Sequence, residues 1–110
     1  MGRNCAEFHI IGNVARIAKL EKVTKVTVAA NLRAKINNEW QDDTHFNTVN
    51  IWDKKDRDYI ETEIKVGDLV RVTGRMRESS FQDSRGETNY SVDLHANDFA
   101  RLAKKSEKPD

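Results

Sequence analysis

Cysteine and proline are almost missing from this sequence of 110 residues, with Cys5 and Pro109 the only examples. A single cysteine excludes an internal disulfide, and its place near the N-terminus fits neither a metal nor a redox motif. A reducing compartment is the expectation. No Gly/Ser linker or low-complexity run divides the chain, which carries only five glycines. No apolar stretch approaches the roughly 18 residues of a membrane span, and no signal-peptide core opens the sequence. The expected location is therefore cytoplasmic, with no membrane partner. Charge of one sign is lacking too, since 19 basic and 18 acidic side chains leave a net charge of +1.

Chemistry-bearing motifs are equally scarce. Neither G-x-x-x-x-G-K-[ST] nor G-x-G-x-x-G is present, which removes the common phosphate-cradling loops. His9, His45 and His95 lack metal-ligand spacing, and Cys5 does not complete a site. The paired carboxylates Asp42-Asp43 and Glu61/Glu63 read as solubilising groups, and no nucleophile has a credible base beside it. The sequence predicts no catalysis, no cofactor, no metal and no small-molecule substrate.

What the chain does have is alternation. Residues 7–20 read as a first strand with Phe8, Ile10 and Val14 on one side and Gly12 marking a bulge or bend. Val26, Val28, Ala30 and Leu32 alternate with polar residues in a second strand, and Lys35 to Glu39 reads as a hairpin loop. A third strand spans Thr44 to Trp52. Asp53 then caps a short helix over Lys54 to Ile64, with Tyr59, Ile60 and Ile64 inward and Gly67 as its stop. Val70, Val72 and Met76 alternate in a fourth strand. A polar loop, Ser79 to Thr88, carries Phe81 and a turn at Ser84-Arg85-Gly86. The fifth strand places Tyr90, Val92 and Leu94 inward.

Five strands with a helix between the third and fourth is the order of the OB-fold, an all-β, partly open Greek-key barrel. A split sheet with a packed helix gives a similar pattern. Residues 1–102 form the single expected domain, and 103–110 a short, polar, frayed tail.

The third strand is unusual. Val49 and Ile51 take the core face, leaving Phe46 and Trp52 with Thr48 and Asn50 on the other. Trp40 stands at the end of the preceding loop, and Phe81 lies in the loop between the last two strands. Each ring has cations nearby. Arg33 and Lys35 border the first of these loops, and Arg71, Arg75 and Arg77 form a basic group with no acid among them. From Arg16 to Lys35 six basic residues face Glu21 alone. Flat rings let unpaired bases stack and cations neutralise phosphates, the two requirements of single-strand binding. The bland readings are that these rings cover the open end of the barrel or form a subunit interface.

Four runs add a resemblance. Ile10-Ile11-Gly12-Asn13, Asn38 to Phe46 (N-E-W-Q-D-D-T-H-F), Val66 to Arg75 (V-G-D-L-V-R-V-T-G-R) and Phe81 to Tyr90 (F-Q-D-S-R-G-E-T-N-Y) resemble the signature segments of bacterial single-stranded DNA-binding proteins, in order and spacing over residues 7–102. The resemblance implies that Phe46, Trp52 and Phe81 hold the base-stacking positions. It also implies that Trp40 matches a hairpin aromatic and Lys54 a DNA-contacting lysine. It further implies sequence-nonspecific binding of single-stranded DNA in replication, recombination and repair, homo-oligomers (dimers or tetramers), and a nucleoid-associated place in the cytoplasm. Departures stand beside it. Phe46 and Phe81 occupy positions where the family often has Trp, and Ser79-Ser80 stand where basic residues often precede the third ring. The ending Ser106-Glu107-Lys108-Pro109-Asp110 lacks the long tail and acidic, aromatic tip of cellular members. A truncated chain and a phage, plasmid or mobile-element member both fit that ending. Two other readings remain: an OB-fold replication-restart or RNA-binding protein, and an assembly module whose aromatic face is buried between subunits.

Overall fold

The chain is described here by a computed structural model covering residues 4–105. Alternating β-branched residues build five strands and one helix, in the order β1 (Glu7–Lys19), β2 (Thr24–Ile36), β3 (Glu39–Ile51), α1 (Lys54–Glu63), β4 (Leu69–Gln82) and β5 (Thr88–Ala103). The strands close into a barrel, β1-β2-β3-β5-β4, with β4 returning to β1. Every pairing is antiparallel except β3–β5, a short parallel contact in which Val49 meets Leu94 and Asn50 meets His95. This is the OB-fold that the strand order predicts, closed through β1, which pairs with β4 over residues 7–13 and with β2 over residues 13–19.

The core is a valine-rich cluster in which Val26, Val28, Val49, Val70 and Val72 are fully buried. Ile60 and Ile64 join it from α1, as the helical spacing predicts, and Phe8, Ile10 and Tyr59 pack against it. The helix begins where its cap requires, with the Asp53 carboxylate accepting from the Asp56 N–H at 3.2 Å. It ends earlier than expected, at Glu63, because Ile64 turns extended. Gly67 lies in the turn beyond, at φ 99°. The bulge of β1 lies between Val14 and Arg16 rather than at Gly12, whose role is close approach: a Cβ there would overlap the Ala29 carbonyl.

Two hairpins differ from the sequence expectation for one reason. The β2–β3 ladder continues to the pair Ile36 and Glu39, leaving only Asn37 and Asn38 in the turn, at φ 52° and 64°. Positive φ at both central residues is the type I′ geometry that matches strand twist, and Asn tolerates it. Trp40 is therefore on a strand rather than at the end of a loop. Likewise β4 and β5 pair as far as Gln82 and Thr88, so Phe81 is also on a strand.

Beyond the barrel both hairpins are two-stranded arms. The β1 ladder leaves β2 at Ala29 and leaves β4 at Arg75. Among the described residues no layer covers the inner face of either arm, and Leu32, Met76, Tyr90 and Val92 are exposed instead of inward, Tyr90 at 67% and Val92 at 59%. Leu94 alone of the expected trio packs on the core, and the buried anchor of β5 is Phe99, further along the strand. The strand runs to Ala103, and the Lys105 N–H is held by Asp68 at 2.9 Å. Residues 106–110 of the expected tail lie outside the described residues.

Candidate nucleic-acid interface

Cross-strand partners share a face, so register places the side chains. On the outer face of β2–β3, Lys35 stands opposite Trp40, Arg33 opposite Asp42 and Ala29 opposite Phe46. Below Phe46 this face is knit together by polar bonds, Thr27 to Thr48 at 2.8 Å and Arg16 to Thr27 at 3.3 Å. On the outer face of β4–β5, Arg75 stands opposite His95, Arg77 opposite Asp93 and Phe81 opposite Asn89. Two arms thus each present aromatic and cationic groups in a row. The rings are open to solvent, with Trp40 62%, Phe46 64%, Trp52 52% and Phe81 56% exposed.

Trp52 follows β3 and joins it to β5. Its indole Nε1–H donates to His95 Nδ1 at 2.9 Å, with the rings tilted at 49° and their centroids 6.0 Å apart. Such a bond needs the neutral imidazole with its proton on Nε2. The Trp52 ring borders a groove of about 650 Å3 whose other walls include Arg75, Arg77, Asp56 and Asn97. Burial, then repulsion from Asp53 and Asp98, pushes the Asp56 carboxyl above its ordinary value. Lys54 is exposed at the first turn of α1, two residues past Trp52.

Arg71 is not brought into this groove. It sits further down β4 opposite Ile11 of β1, its guanidinium 3.5 Å from Asp98. Arg75 and Arg77 form no ion pair among the described residues.

Two positioning groups escaped the sequence reading. His95 looks like any polar strand residue, and its bond to Trp52 spans 43 residues with no local signal. Asp83 did leave a signal, an Asx-type turn before Gly86. Its carboxylate accepts from the N–H groups of Arg85 and Glu87 and from the Asn89 side chain, which stiffens the hairpin tip beside Phe81. The Asn89 bond foremost, then the backbone donors, hold Asp83 below the ordinary carboxylate value. Among the described residues no group of three or more His, Cys, Asp or Glu is placed to hold a metal, and no helix is long and apolar enough to cross a membrane.

The profile of the single-strand binding protein family matches residues 5–102. The chain belongs to this family. Its partner is single-stranded DNA, and the family's general roles are replication, recombination and repair. Family members are non-catalytic DNA-binding proteins and are typically oligomers.

No curated protein matches the sequence at a significant level. Among solved structures, the Plasmodium falciparum single-strand binding protein in complex with single-stranded DNA is similar with a TM-score of 0.75. It is 18% identical, over 93% of this chain and 98% of that one. A mitochondrial single-stranded DNA-binding protein of S. cerevisiae has a TM-score of 0.73 at 13% identity, over 94% of this chain and 100% of that one. The small single-stranded DNA-binding protein of Streptomyces coelicolor has a TM-score of 0.61 at 24% identity, over 90% and 95%. At such identities these likenesses carry the fold, while the family profile carries the partner.

Proposed function

We propose that this single-strand binding protein holds DNA without sequence preference by stacking bases on Trp40, Phe46, Trp52 and Phe81. Arg33, Lys35, Lys54, Arg75 and Arg77 neutralise the phosphates. Arg71, engaged with Asp98 and outside the lining of the groove, contributes only to the long-range field. One observation carries the reading: three rings, each more than half exposed, stand with cations on the two arms, and a fourth, Trp52, is equally open at the end of β3 beside Arg75 and Arg77. Leaving such rings in water is costly unless a ligand uses them. A stacked base contributes roughly 1–3 kcal/mol, and any base can supply it.

The reading extends to a homo-oligomer, dimer or tetramer, for which the bare inner face of the β4–β5 arm (Met76, Tyr90 and Val92) supplies apolar surface. It also extends to a cytoplasmic, nucleoid-associated location and to a role without catalysis. The solved complex of the Plasmodium falciparum protein with single-stranded DNA supports it from the side of the fold.

Fluorescence titration with oligo-dT at low salt is the test. Binding should quench the tryptophan emission, Trp52→Ala should weaken binding without unfolding the domain, and added salt should weaken it further. A Trp52→Ala variant that falls to monomers yet keeps its strand affinity would assign the aromatic face to subunit contact. Preference for folded RNA over oligo-dT would favour an RNA-binding role.

A further inference from the structure

Charges of both signs line the groove beside Trp52. Arg75 and Arg77 reach it from β4, Asp53 and Asp56 from the start of α1. His95 is neutral, as its bond to Trp52 requires, so those four charges cancel. A groove that takes a polyanion gains from its cations and loses to its carboxylates. Asp53 is needed by the fold, as the helix cap that accepts from the Asp56 N–H. Asp56 has no such role. Burial and repulsion from Asp53 and Asp98 act on its carboxyl, with no hydrogen bond or cation to offset them. Among the described residues no ion pair joins either acid to an arginine.

We propose that the Asp56 carboxylate restrains strand binding: it opposes the phosphates that Arg75 and Arg77 attract, so the groove releases a strand sooner than its ring and guanidiniums alone would dictate. The proposal rests on the single-strand reading of the Trp52 groove and concerns the strength of its grip. Three observations support it. First, Asp56 shares the groove wall with both arginines yet neutralises neither. Second, the carboxylate cannot swing clear, because an Asp side chain is short and α1 is fixed by its cap and by Ile60 in the core. Third, the cations of α1 do not cancel it. Lys54 and Lys55 lie outside the groove lining, and the Arg57 guanidinium donates to the Glu21 carbonyl. On the β5 side Asp98, paired with Arg71, adds to the negative charge that Asp56 meets. A phosphate arriving nearby strengthens the same repulsion and favours the protonated carboxyl. The restraint therefore fades in acid.

The test compares oligo-dT affinity, read from tryptophan quenching at low salt, in the unaltered chain, Asp56→Asn and Asp58→Asn. Asp58 carries the same charge two residues on, so it takes another side of the helix and lies outside the groove lining. Asp56→Asn should tighten binding about three- to tenfold, the scale of one carboxylate–phosphate repulsion across a partly exposed groove. Asp58→Asn should change it less than about twofold, because solvent screens a more distant charge. Salt at about 1 M should erase the gain, the screening length then being roughly 3 Å. The gap between the unaltered chain and Asp56→Asn should also close as pH falls from about 7 toward 4, where the carboxyl takes up its proton. His95 titrates in both proteins alike and cancels in that ratio. Asp56→Ser, equally uncharged, should reproduce the gain, and circular dichroism establishes that each variant is folded. Unchanged or weaker affinity in both Asp56 variants, with full quenching of the unaltered chain, overturns the proposal and leaves the Trp52 site standing. Equal gains at positions 56 and 58 overturn it as well, because the overall field of the protein would then account for both. So does a gain that survives about 1 M salt. Absence of quenching in the unaltered chain sinks the Trp52 reading itself.

Discussion

Trp52 and His95 lie 43 residues apart in sequence, yet the indole N–H of one meets the imidazole Nδ1 of the other at 2.9 Å. The bond ties the ring after β3 to β5, the strand paired with the arginine row of β4. A stacking surface that is already oriented does not lose its own side-chain freedom when a base arrives. Trp52 is accordingly the ring whose loss should be felt most. Trp52→Ala is expected to weaken oligo-dT binding about 5- to 150-fold, the equivalent of one stacked base. Because the ring is half exposed, the thermal midpoint should move little. A large drop in the melting temperature, followed by circular dichroism, would reassign Trp52 to the core.

The imidazole should matter only through the indole. His95→Ala is expected to lower oligo-dT affinity severalfold, since the freed ring must be immobilised at about 0.5–1.5 kcal/mol on binding. In a Trp52→Ala background the same change should do almost nothing. A double-mutant cycle measures this, and additive losses would show that His95 acts on the strand directly.

Gly74 makes a separate prediction at the same place. It sits at the register shift of the β4–β5 ladder, where a Cβ would overlap the His95 carbonyl oxygen and lie 2.9 Å from the Ala96 Cα. Both neighbours are backbone and cannot swing away. Gly74→Ala should therefore destabilise the fold by about 1–3 kcal/mol. It should also displace His95, so that quenching by oligo-dT falls even at temperatures where the variant is folded. Urea titration and fluorescence on one sample check both parts.

Salt dependence separates the arginines from one another. Each phosphate neutralised on a single strand contributes about −0.7 to the slope of log affinity against log salt. Arg75→Gln and Arg77→Gln should each flatten the slope by roughly that amount. Arg71→Gln should leave it nearly unchanged, since its guanidinium is paired with Asp98 and does not line the groove. An equal effect at all three positions would return Arg71 to the contact surface.

Asp68 governs the response to acid. It is 3% exposed and accepts from the N–H groups of Lys105 and Lys65, each at 2.9 Å, with Arg101 at 3.7 Å. The Lys105 bond first, then that of Lys65, outweigh burial and hold its carboxyl below the ordinary value. A lowered folded-state pKa stabilises the fold above the unfolded value of about 3.9, and that contribution disappears as pH falls through the folded value. Asp68→Asn should cost about 1–3 kcal/mol near neutrality, because two backbone donors lose a charged acceptor. The gap between the two proteins should narrow below about pH 4. Melting curves across that range decide it, and a constant gap would remove Asp68 from the acid response.

Much of this was legible in the chain before any coordinates. The Asp53 cap, the inward positions of Ile60 and Ile64 and the core valines all follow from rules that act within a few residues. The non-core face of Phe46 and Trp52 follows as well, because alternation is a local property of an extended chain. Where the reading failed, the missing information was a partner strand. Trp40 and Phe81 read as loop residues because nothing local says how far a ladder extends, and here both ladders continue almost to their turns.

Taken alone, the sequence determined the order of the strands, the helix, the side of each strand that could be buried and the supply of rings and cations. It did so because strand and helix periods and capping chemistry are written in neighbouring residues. Only the tertiary structure decided which alternating positions actually lost water. Tyr90 and Val92 alternate as a buried pair would, but their arm projects past the barrel and has no layer opposite among the described residues, while Phe99 lies where the barrel closes. The same closure brought His95 to Trp52, because burial and contact depend on what stands across from a residue and not on what stands beside it in the chain.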